Sequence, residues 1–335
     1  MIQLPLTLKL LKGFQMRVFV TGATGFIGSA VVQELVAAGH TVIGLARNAK
    51  AAQALASAGA LAHRGTLDDQ ACLRAGAAQA DGALHLAFIH GFHGMTPGQR
   101  LRVLFGGWPG GIAARFGAVI TETDRRAIDA LGEAFEGSGR PLVATFGTMG
   151  LVPSGRMGEN DRPDPRSPGA ARAASEEVVL GWAARGVRAC IVRLPPSVHG
   201  DGDTGLVPRL IRTARRKGFS AYVGEGANRW SAVHRRDAAR LFRMVLEKGE
   251  SGARYHGVAE EGVPFRDIAT IIGNRLGVPV VGKTPKEAER VFSWLTPFVA
   301  ADNPASSVLT RDRLGWQPRE PDLLADLDRA GYFPE

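Results

Sequence analysis

Cysteine is scarce in this sequence, and the scarcity limits the chemistry open to it. Only Cys72 and Cys190 occur among 335 residues. Two thiols cannot form a disulfide framework or a cysteine zinc site, and so few of them are typical of a reducing compartment. No set of residues has the spacing of metal ligands or of a serine-histidine-aspartate triad. The sequence therefore predicts a protein without a metal centre.

Long apolar runs are also missing, which argues against a membrane protein. No run reaches the roughly 18 to 20 residues that a membrane-spanning helix needs. Residues 1–15 are interrupted by Pro5, Lys9 and Lys12 and do not resemble a signal peptide. We expect a cytoplasmic protein with no membrane partner. Because Met16 directly precedes the first predicted strand, residues 1–15 are interpreted as a dispensable N-terminal extension.

Acidic residues are fewer than basic ones, yet the excess lacks a pattern typical of nucleic-acid binding. The chain has 41 Lys and Arg against 32 Asp and Glu, a formal net charge of +9. Because this charge is mostly arginine scattered along the chain, no nucleic-acid partner is expected. The densest run, residues 209–217, keeps Leu210, Ile211 and Ala214 at helical spacing and predicts an amphipathic helix with a solvated basic face. Phosphate recognition by this run is the alternative.

Glycine, by contrast, is abundant, and three glycines give the clearest signal in the chain. Apolar residues 18–20 predict a buried strand, and apolar side chains recur at helical spacing over residues 31–36. Gly22, Gly25 and Gly28 lie at the turn between them. Gly22 would permit the tight turn, Gly25 the close approach of a pyrophosphate, and Gly28 close packing of the helix on the sheet. With the helix N-terminus facing the phosphates, this turn predicts a dinucleotide site.

Strand and helix patterns alternate over the first two thirds of the chain. Further strands are predicted at 41–45, 83–87, 142–145 and 188–193, with helices at 124–136 and 170–184. This alternation predicts an α/β fold with a doubly wound parallel sheet, whose ligands lie beyond the carboxyl ends of the strands.

Three regions depart from the alternation. Residues 91–117 are glycine-rich and too long for an ordinary connection, so they are interpreted as a lid, a contact surface or a mobile insertion. Residues 153–169 predict a loop over the strand ends. From residue 201 onwards mixed elements, including helices at 265–276 and 305–314, predict a smaller lobe.

Five short motifs occur in an order that carries a family resemblance. They are residues 21–28, 85–87, 193–200, 232–237 and 314–318. Together they resemble the extended short-chain dehydrogenase/reductase family, which includes nucleotide-sugar epimerases and dehydratases. The resemblance runs from Met16 to about Leu327. Helix-paired homodimers are common in that family, so a homodimer is the assembly that the resemblance implies.

These patterns also divide the chain. We predict a dinucleotide-binding Rossmann domain over residues 16–200, to which residues 228–258 return. The smaller mixed substrate lobe is predicted from residues 201–227 and 259–335.

The end of the second predicted strand bears on the choice of cofactor. An acidic residue there would hydrogen-bond the 2'-hydroxyl of NAD and repel the 2'-phosphate of NADP. The chain instead has Arg47, which can pair with a phosphate. NADP(H) is therefore the expected cofactor, and NAD the alternative. The other residues expected at the cofactor, besides the three glycines, are Thr24, Phe26, Ile27, Leu67, Ala87, Arg172, Pro195 and Val198.

The catalytic pattern of the resembled family is not present in its usual form. That family uses a tyrosine to transfer the proton and a lysine four residues later to bind the nicotinamide ribose. With Glu176 setting the register, the lysine position holds Arg172 and the tyrosine position Pro168, and a shift by one residue supplies no tyrosine either. An arginine can bind ribose but does not release a proton at neutral pH. Thr145 and Thr148 lie near the family's serine or threonine position, so these two and Arg172 are the predicted catalytic residues.

Histidines are the other side chains with a pKa suited to proton transfer near neutrality. His90 and His199 follow predicted strands at the mouth of the expected cleft, and with Arg229 they are the predicted substrate residues. His93 is a further candidate.

Several polar residues are instead expected to have structural roles. His85 is interpreted as a hydrogen-bonded core residue and Asp124 as a carboxylate at a helix start. His234 and Asp237 are also interpreted as structural, with Asp237 capping a helix that begins at Ala238.

Three functions remain open on the sequence. The first is an atypical NADP(H)-dependent oxidoreductase acting on a small or medium carbonyl or alcohol. The second is a catalytically inactive NADP(H)-binding sensor or scaffold that contacts a partner through residues 91–117 or the basic helix. The third is a nucleotide-sugar epimerase or dehydratase, ranked last because those reactions also need the missing tyrosine.

Overall fold

The computed structural model describes residues 15–151, 155–173 and 175–333. The proposed extension, apart from Gln15, lies outside these residues. The strands are β1 Arg17–Thr21, β2 Thr41–Ala46, β3 Leu61–Arg64, β4 Gly82–His85, β5 Pro141–Gly147, β6 Arg188–Leu194, β7 Ser197–His199, β8 Ser220–Val223, β9 Arg229–His234, β10 Arg254–His256, β11 Glu260–Pro264 and β12 Val280–Lys283.

The helices alternate with the strands in the first half of the chain and dominate its end. They are α1 Phe26–Ala37, α2 Ala49–Ser57, α3 Gln70–Ala78, α4 Pro97–Phe105, α5 Ile112–Phe135, α6 Ala170–Ala173, α7 Glu176–Ala184, α8 Leu206–Lys217, α9 Arg235–Lys248, α10 Phe265–Leu276, α11 Pro285–Phe292, α12 Thr296–Ala300, α13 Val308–Leu314 and α14 Leu323–Leu327. Within the described part of the chain, no helix has the length and apolarity needed to span a membrane.

A parallel sheet of seven strands forms the centre of the fold, in the order β10-β6-β5-β4-β1-β2-β3. Val18 of β1 is paired with Val42 on one side and with Gly82 on the other. The chain order reverses between β1 and β4, so their carboxyl ends border a crevice of the kind that binds ligands in doubly wound sheets. The predicted fold class is confirmed.

Helices cover both faces of this sheet, which explains why its strands are almost continuously apolar. On one face α1 and α9 pack through residues such as Leu35 and Phe242. On the other, α5 and α7 contribute Phe135 and Trp182. Every one of these four side chains is at most 3% exposed, so the sheet is fixed from both sides.

A smaller part of the molecule lies beyond the carboxyl ends of the strands. It contains a three-stranded sheet in the order β11-β9-β7 and the pair β12-β8. Trp230 and Phe265 pack edge to face at 5.0 Å between ring centroids in its apolar core. β10 joins the edge of the large sheet and α9 covers that sheet, so part of the chain after residue 228 packs with the large sheet.

The segment 91–117 is more ordered than a loop, which corrects the sequence-based expectation. It contains α4, and α5 begins at Ile112, well before the predicted start at Asp124. Thr96 and Gln99 form a capping box with Pro97 in the first turn of α4, a start signal that the glycine-rich composition concealed. Large apolar side chains remain exposed here, including Trp108 at 84%.

The start of α9 is a second correction. The helix begins at Arg235 rather than at Ala238, and its cap is His234, whose Nδ1 accepts the backbone N–H of Arg236 at 3.2 Å. The Asp237 carboxylate instead accepts the backbone N–H groups of Arg319 and Glu320 at 2.8 and 3.0 Å. It therefore anchors the segment that follows α13.

A buried ion pair fixes α7 to β6. The Arg193 guanidinium donates to both carboxylate oxygens of Glu176, at 2.8 and 2.6 Å, and to the Glu159 carbonyl at 3.1 Å. The two side chains are 0% and 1% exposed. Since both charges are removed from water, each depends on the other for compensation.

We expect Arg193→Met to lower the free energy of unfolding by roughly 3–5 kcal/mol, because it leaves the Glu176 carboxylate buried without its main counter-charge. The control is Arg74→Met, which breaks the exposed Arg74–Glu133 pair and should cost less than about 1 kcal/mol. Urea unfolding at pH 7 measures both. Equal losses in the two variants would contradict this assignment.

Candidate cofactor and active site

The turn after β1 approaches its neighbours so closely that side chains are excluded. Gly22 has a φ of +70°. A Cβ on Gly22 would lie 2.7 Å from the Ala87 backbone nitrogen, and one on Gly28 would lie 2.0 Å from the Gly22 carbonyl oxygen. Both positions therefore require glycine.

This turn leaves backbone donors free at the start of α1. The capping residue is Gly25, and it provides no side-chain hydrogen bond. The first N–H groups of a helix lack partners within the helix and attract anions. Thr24 is exposed, while Phe26 and Ile27 are half-buried in the first turn. The geometry fits the diphosphate of a dinucleotide.

Two arginines lie at the far end of this crevice. Arg47 directly follows β2 and Arg64 ends β3, whose register pairs Ala46 with Arg64. Both side chains are exposed, and neither has a hydrogen-bond or ion-pair partner among residues 15–151, 155–173 and 175–333. Sequence reasoning overlooked Arg64, although its position at a strand end was a usable signal.

The remaining cofactor candidates line the strand ends. Leu67 is half-buried beside both the α3–α5 core and the α4 region. Ala87, after β4, donates its N–H to Thr21 Oγ1 at 3.4 Å. Pro195 is buried directly after β6, and Val198 is half-buried in β7.

Asp124 lies inside α5, so its interpretation as a helix-start carboxylate is wrong. It is 3% exposed, and its Oδ1 lies 3.2 Å from His85 Nε2. The other ring nitrogen of His85 lies 2.9 Å from Thr21 Oγ1, which confirms His85 as a hydrogen-bonded core residue. Burial opposes ionisation of Asp124, but the His85 hydrogen bond and the Arg172 charge hold its pKa below the usual value. Asp124 is therefore an anion beneath the crevice.

Arg172 lies in α6 with its guanidinium over aromatic rings. Its central carbon is 4.4 Å from the centroid of Phe88 and 5.7 Å from that of Phe146. Burial lowers the pKa of Arg172, and the Asp124 charge opposes that shift. Its Nε and Nη2 atoms are buried, yet they have no hydrogen-bond partner in the described chain. Such donors are ordinarily satisfied, so they point to a bound group.

The two candidate threonines differ in their hydrogen bonds. Thr145 is 5% exposed, and its hydroxyl has no partner in the part of the chain that the structure covers. The Thr148 hydroxyl donates to Asn303 Oδ1 at 2.6 Å, and the Thr148 carbonyl accepts from Asn303 Nδ2 at 3.1 Å. The free hydroxyl is therefore that of Thr145.

The three predicted substrate residues lie in different surroundings. His90 is exposed after β4, with its ring 5.2 Å from that of Phe88. Neighbouring protein atoms nevertheless desolvate the ring in part, and together with the charges of Arg172 and Arg209 this lowers the pKa of His90 to about 4. His199 lies buried within β7 rather than in a loop, and its Nδ1 is 2.9 Å from Asp326.

The third, Arg229, already has a counter-charge. Its guanidinium donates to both oxygens of Asp302, at 3.1 and 2.8 Å. Of the three, only His90 shares surroundings with Arg172.

All three tyrosine hydroxyls of the sequence have hydrogen bonds in other parts of the fold. Tyr222 accepts from Arg266 at 3.3 Å, Tyr255 from the Glu250 N–H at 2.9 Å, and Tyr332 from the Gly200 N–H at 2.9 Å. In the described residues no group of histidine, cysteine, aspartate and glutamate could hold a metal ion.

Comparison with known proteins agrees with this geometry. The model of the "NAD dependent epimerase/dehydratase family" matches residues 18–98 and 133–258. The chain belongs to the NAD-dependent epimerase/dehydratase family. Members of this family are NAD(P)-dependent, and the resemblance to extended short-chain dehydrogenases/reductases is confirmed.

Relatives and solved structures extend the comparison. The chain is 44% identical to the uncharacterized protein C2A9.02 of Schizosaccharomyces pombe, over 95% of this chain and 100% of that one. It is 29% identical to the 4-hydroxy-2-methyl-3-oxo-4-farnesyl-3,4-dihydroquinoline-1-oxide ketoreductase of Stigmatella aurantiaca, over 84% of this chain and 79% of that one. The dTDP-glucose 4,6-dehydratase DesIV of Streptomyces venezuelae shares the fold with a TM-score of 0.71 at 23% identity, covering 94% of this chain and 96% of that one.

The side chains of this family member fit a dinucleotide. Because a Cβ at Gly22 or Gly28 would collide with backbone atoms, the two glycines let α1 start close to the end of β1, with its first N–H groups available to a diphosphate. The buried, unpartnered donors of Arg172 can bind ribose hydroxyls, and the free hydroxyl of Thr145 lies at the carboxyl half of β5.

We expect Gly28→Ala to abolish dinucleotide binding, because the new methyl group would meet the Gly22 carbonyl at 2.0 Å and force α1 away from β1. The matched control is Gly181→Ala in α7, where nothing lies within 4 Å of the added Cβ and helix propensity favours alanine. Fluorescence titration with NADPH measures binding, and thermal unfolding monitors the fold. Unchanged binding by a folded Gly28→Ala variant would exclude the turn as the site.

Proposed function

We propose that this protein is an atypical NADP(H)-dependent oxidoreductase that acts on a small or medium carbonyl compound or alcohol, with Arg172 in the place of the family lysine. The observation that carries the proposal is the pair of unsatisfied, buried donors at the strand ends, Thr145 Oγ1 and the Arg172 guanidinium. The similarity to a ketoreductase at 29% identity supports the same reaction class.

The preference for NADP(H) over NAD(H) rests on Arg47 and Arg64. A dinucleotide with its diphosphate at Gly25 would direct its adenosine ribose toward the ends of β2 and β3. Both guanidinium groups there are exposed and without a counter-charge among the described residues. Guanidinium groups pair strongly with phosphate, and no carboxylate was found at the Arg47 position to bind a 2'-hydroxyl instead.

The bound reduced nicotinamide would supply a hydride to the carbonyl carbon. Thr145 would donate its hydroxyl hydrogen to the carbonyl oxygen, where negative charge develops. The proton would then pass from Thr145 Oγ1 to the alkoxide oxygen of the product. Threonine and the product are both alcohols, so these two oxygens have similar proton affinities. The fixed charge of Arg172 would stabilise the threonine anion until water protonates it. Asp124 would hold Arg172 in place through their opposite charges.

A sensor or scaffold that binds NADP(H) without catalysis is the second candidate. The observation in its favour is the exposed apolar surface at the end of α4, where Phe105 and Trp108 are 76% and 84% exposed. A nucleotide-sugar reaction is less well supported, because Asp302 already neutralises Arg229. A homodimer and a cytoplasmic location remain proposals.

We expect Arg47→Ser to raise the Kd for NADPH at least tenfold and to leave the Kd for NADH within twofold, because only the 2'-phosphate would lose its partner. Lys248→Ser, at the exposed end of α9, removes one positive charge far from the crevice and is the control. Calorimetric titration measures both cofactors. A parallel loss of NADH affinity in Arg47→Ser would contradict phosphate recognition.

The catalytic assignment is tested by isosteric removal of one hydroxyl. Thr145→Val should reduce kcat/KM for carbonyl reduction about 100-fold while the Kd for NADPH stays unchanged, because the lost hydrogen bond forms in the transition state. Thr270→Val, which removes a hydroxyl bonded to Arg266 in α10, should retain activity.

Arg172→Met should weaken NADPH binding as well as turnover, and Arg172→Lys should recover part of both. NADPH consumption with a panel of aldehydes and ketones is the measurement. Tight cofactor binding with no turnover of any panel member would favour the sensor.

A further inference from the structure

Helix α8 carries several basic side chains. Arg209, Arg212 and Arg216 follow each other at helical spacing, and none has an acidic partner in the described ranges. Arg209 differs from the other two because it is only partly exposed and its Nε is buried without a hydrogen bond. Its guanidinium lies over the ring of Trp294, with the central carbon 5.0 Å from the ring centroid.

Helix α8, which carries Arg209, lies near the carboxyl end of β5. Met149, which follows β5, packs in one apolar cluster with Val207, Leu210 and Ile211 of α8, so the helix crosses the carboxyl end of that strand. The pKa of His90, which follows β4, is lowered by the charges of both Arg172 and Arg209. The charges of the two guanidinium groups therefore act on the same side chain.

The positive charges of Arg172 and Arg209 are not balanced to the same extent by negative charges. Asp124 provides a negative charge for Arg172, whereas Arg209 is influenced by the positive charge of Arg212. A partly desolvated guanidinium without an anion is unfavourable, and the usual partner of its donor fork is a carboxylate or a phosphate. A ligand could supply the missing charge.

We propose that Arg209 binds an acidic group of the substrate, so that the enzyme prefers carbonyl compounds that carry a carboxylate or a phosphate. The inference rests on the proposed function and specifies its substrate class. The N–H groups of the guanidinium that lies over Trp294 would donate to the anion. The aromatic rings of Trp294 and Phe88, each stacked on one arginine, favour a flat apolar body between the acidic group and the carbonyl.

The test compares matched aldehydes in the full-length protein with NADPH. The acidic probes are 4-carboxybenzaldehyde and 4-formylphenyl phosphate, and the neutral probe is methyl 4-formylbenzoate. We expect kcat/KM to be at least tenfold higher for an acidic probe than for the ester. In Arg209→Gln this ratio should fall to about one through KM, while the activity with the ester and the Kd for NADPH stay within twofold.

Two variants distinguish a specific contact of Arg209 from a general effect of the positive charge on α8. Arg216→Gln removes the same charge about 10 Å farther along α8 and should keep the preference. Arg209→Lys should recover only part of it, because an ammonium lacks the planar donor fork. The phosphate and carboxylate probes show which acid the site takes. A wild-type ratio near one, or a ratio that Arg209→Gln leaves unchanged, would overturn the inference.

A separate binding measurement distinguishes failure of the anion site from failure of the proposed reaction. If no aldehyde is reduced, calorimetry with 4-(hydroxymethyl)benzoate and its neutral amide is performed on protein saturated with NADP+, or on the protein alone if NADP+ does not bind. Binding of the acid that is lost in Arg209→Gln would support the anion site while the proposed reaction fails. No binding of the acid would reject the anion site as well.

Discussion

The close contact between the Gly22 carbonyl and Gly28 is the constraint on which the other features depend. With Gly22 O only 2.0 Å from where a Cβ of residue 28 would stand, α1 can rest against the end of β1 only if the side chain is a hydrogen atom. That contact directs the first N–H groups of the helix toward the crevice between β1 and β4. The carboxyl ends of β2, β3 and β5 lie around the same crevice because the strands of the sheet are parallel.

Charge compensation is the second principle of the site. An arginine beneath a ligand crevice is costly unless a counter-charge is fixed close by, and Asp124 provides one from inside α5. His85 on β4 hydrogen-bonds the Asp124 carboxylate and, through its other ring nitrogen, Thr21 on β1, so β1, β4 and α5 share one hydrogen-bonded arrangement. This arrangement explains how a permanently charged side chain can occupy a position where the family has a lysine.

The sequence predicted what depends on local patterns and failed where partners are distant in the chain. Five strands of the large sheet (β1, β2, β4, β5 and β6), the glycine turn and helix α10 were readable because apolar spacing and glycine act over a few residues. Helix α4 and the early start of α5 were missed. The capping box at Thr96, which begins α4, is nevertheless a local signal. The pairing of Asp124 with His85 spans 39 residues, and the environment of Arg209 depends on Trp294 from another helix turn. Local sequence patterns do not indicate contacts between residues that are distant in the chain.

The distribution of tryptophan gives the molecule a built-in optical reporter. Of the five tryptophans in the sequence, Trp182, Trp230 and Trp316 are at most 3% exposed, whereas Trp294 is 57% and Trp108 84% exposed. Of these two exposed rings, Trp294 lies beneath an arginine, Arg209, so its emission would respond to a ligand that displaces or neutralises that cation. With Trp108 replaced by phenylalanine, collisional quenching by iodide would report ligand binding at Arg209 without any added dye.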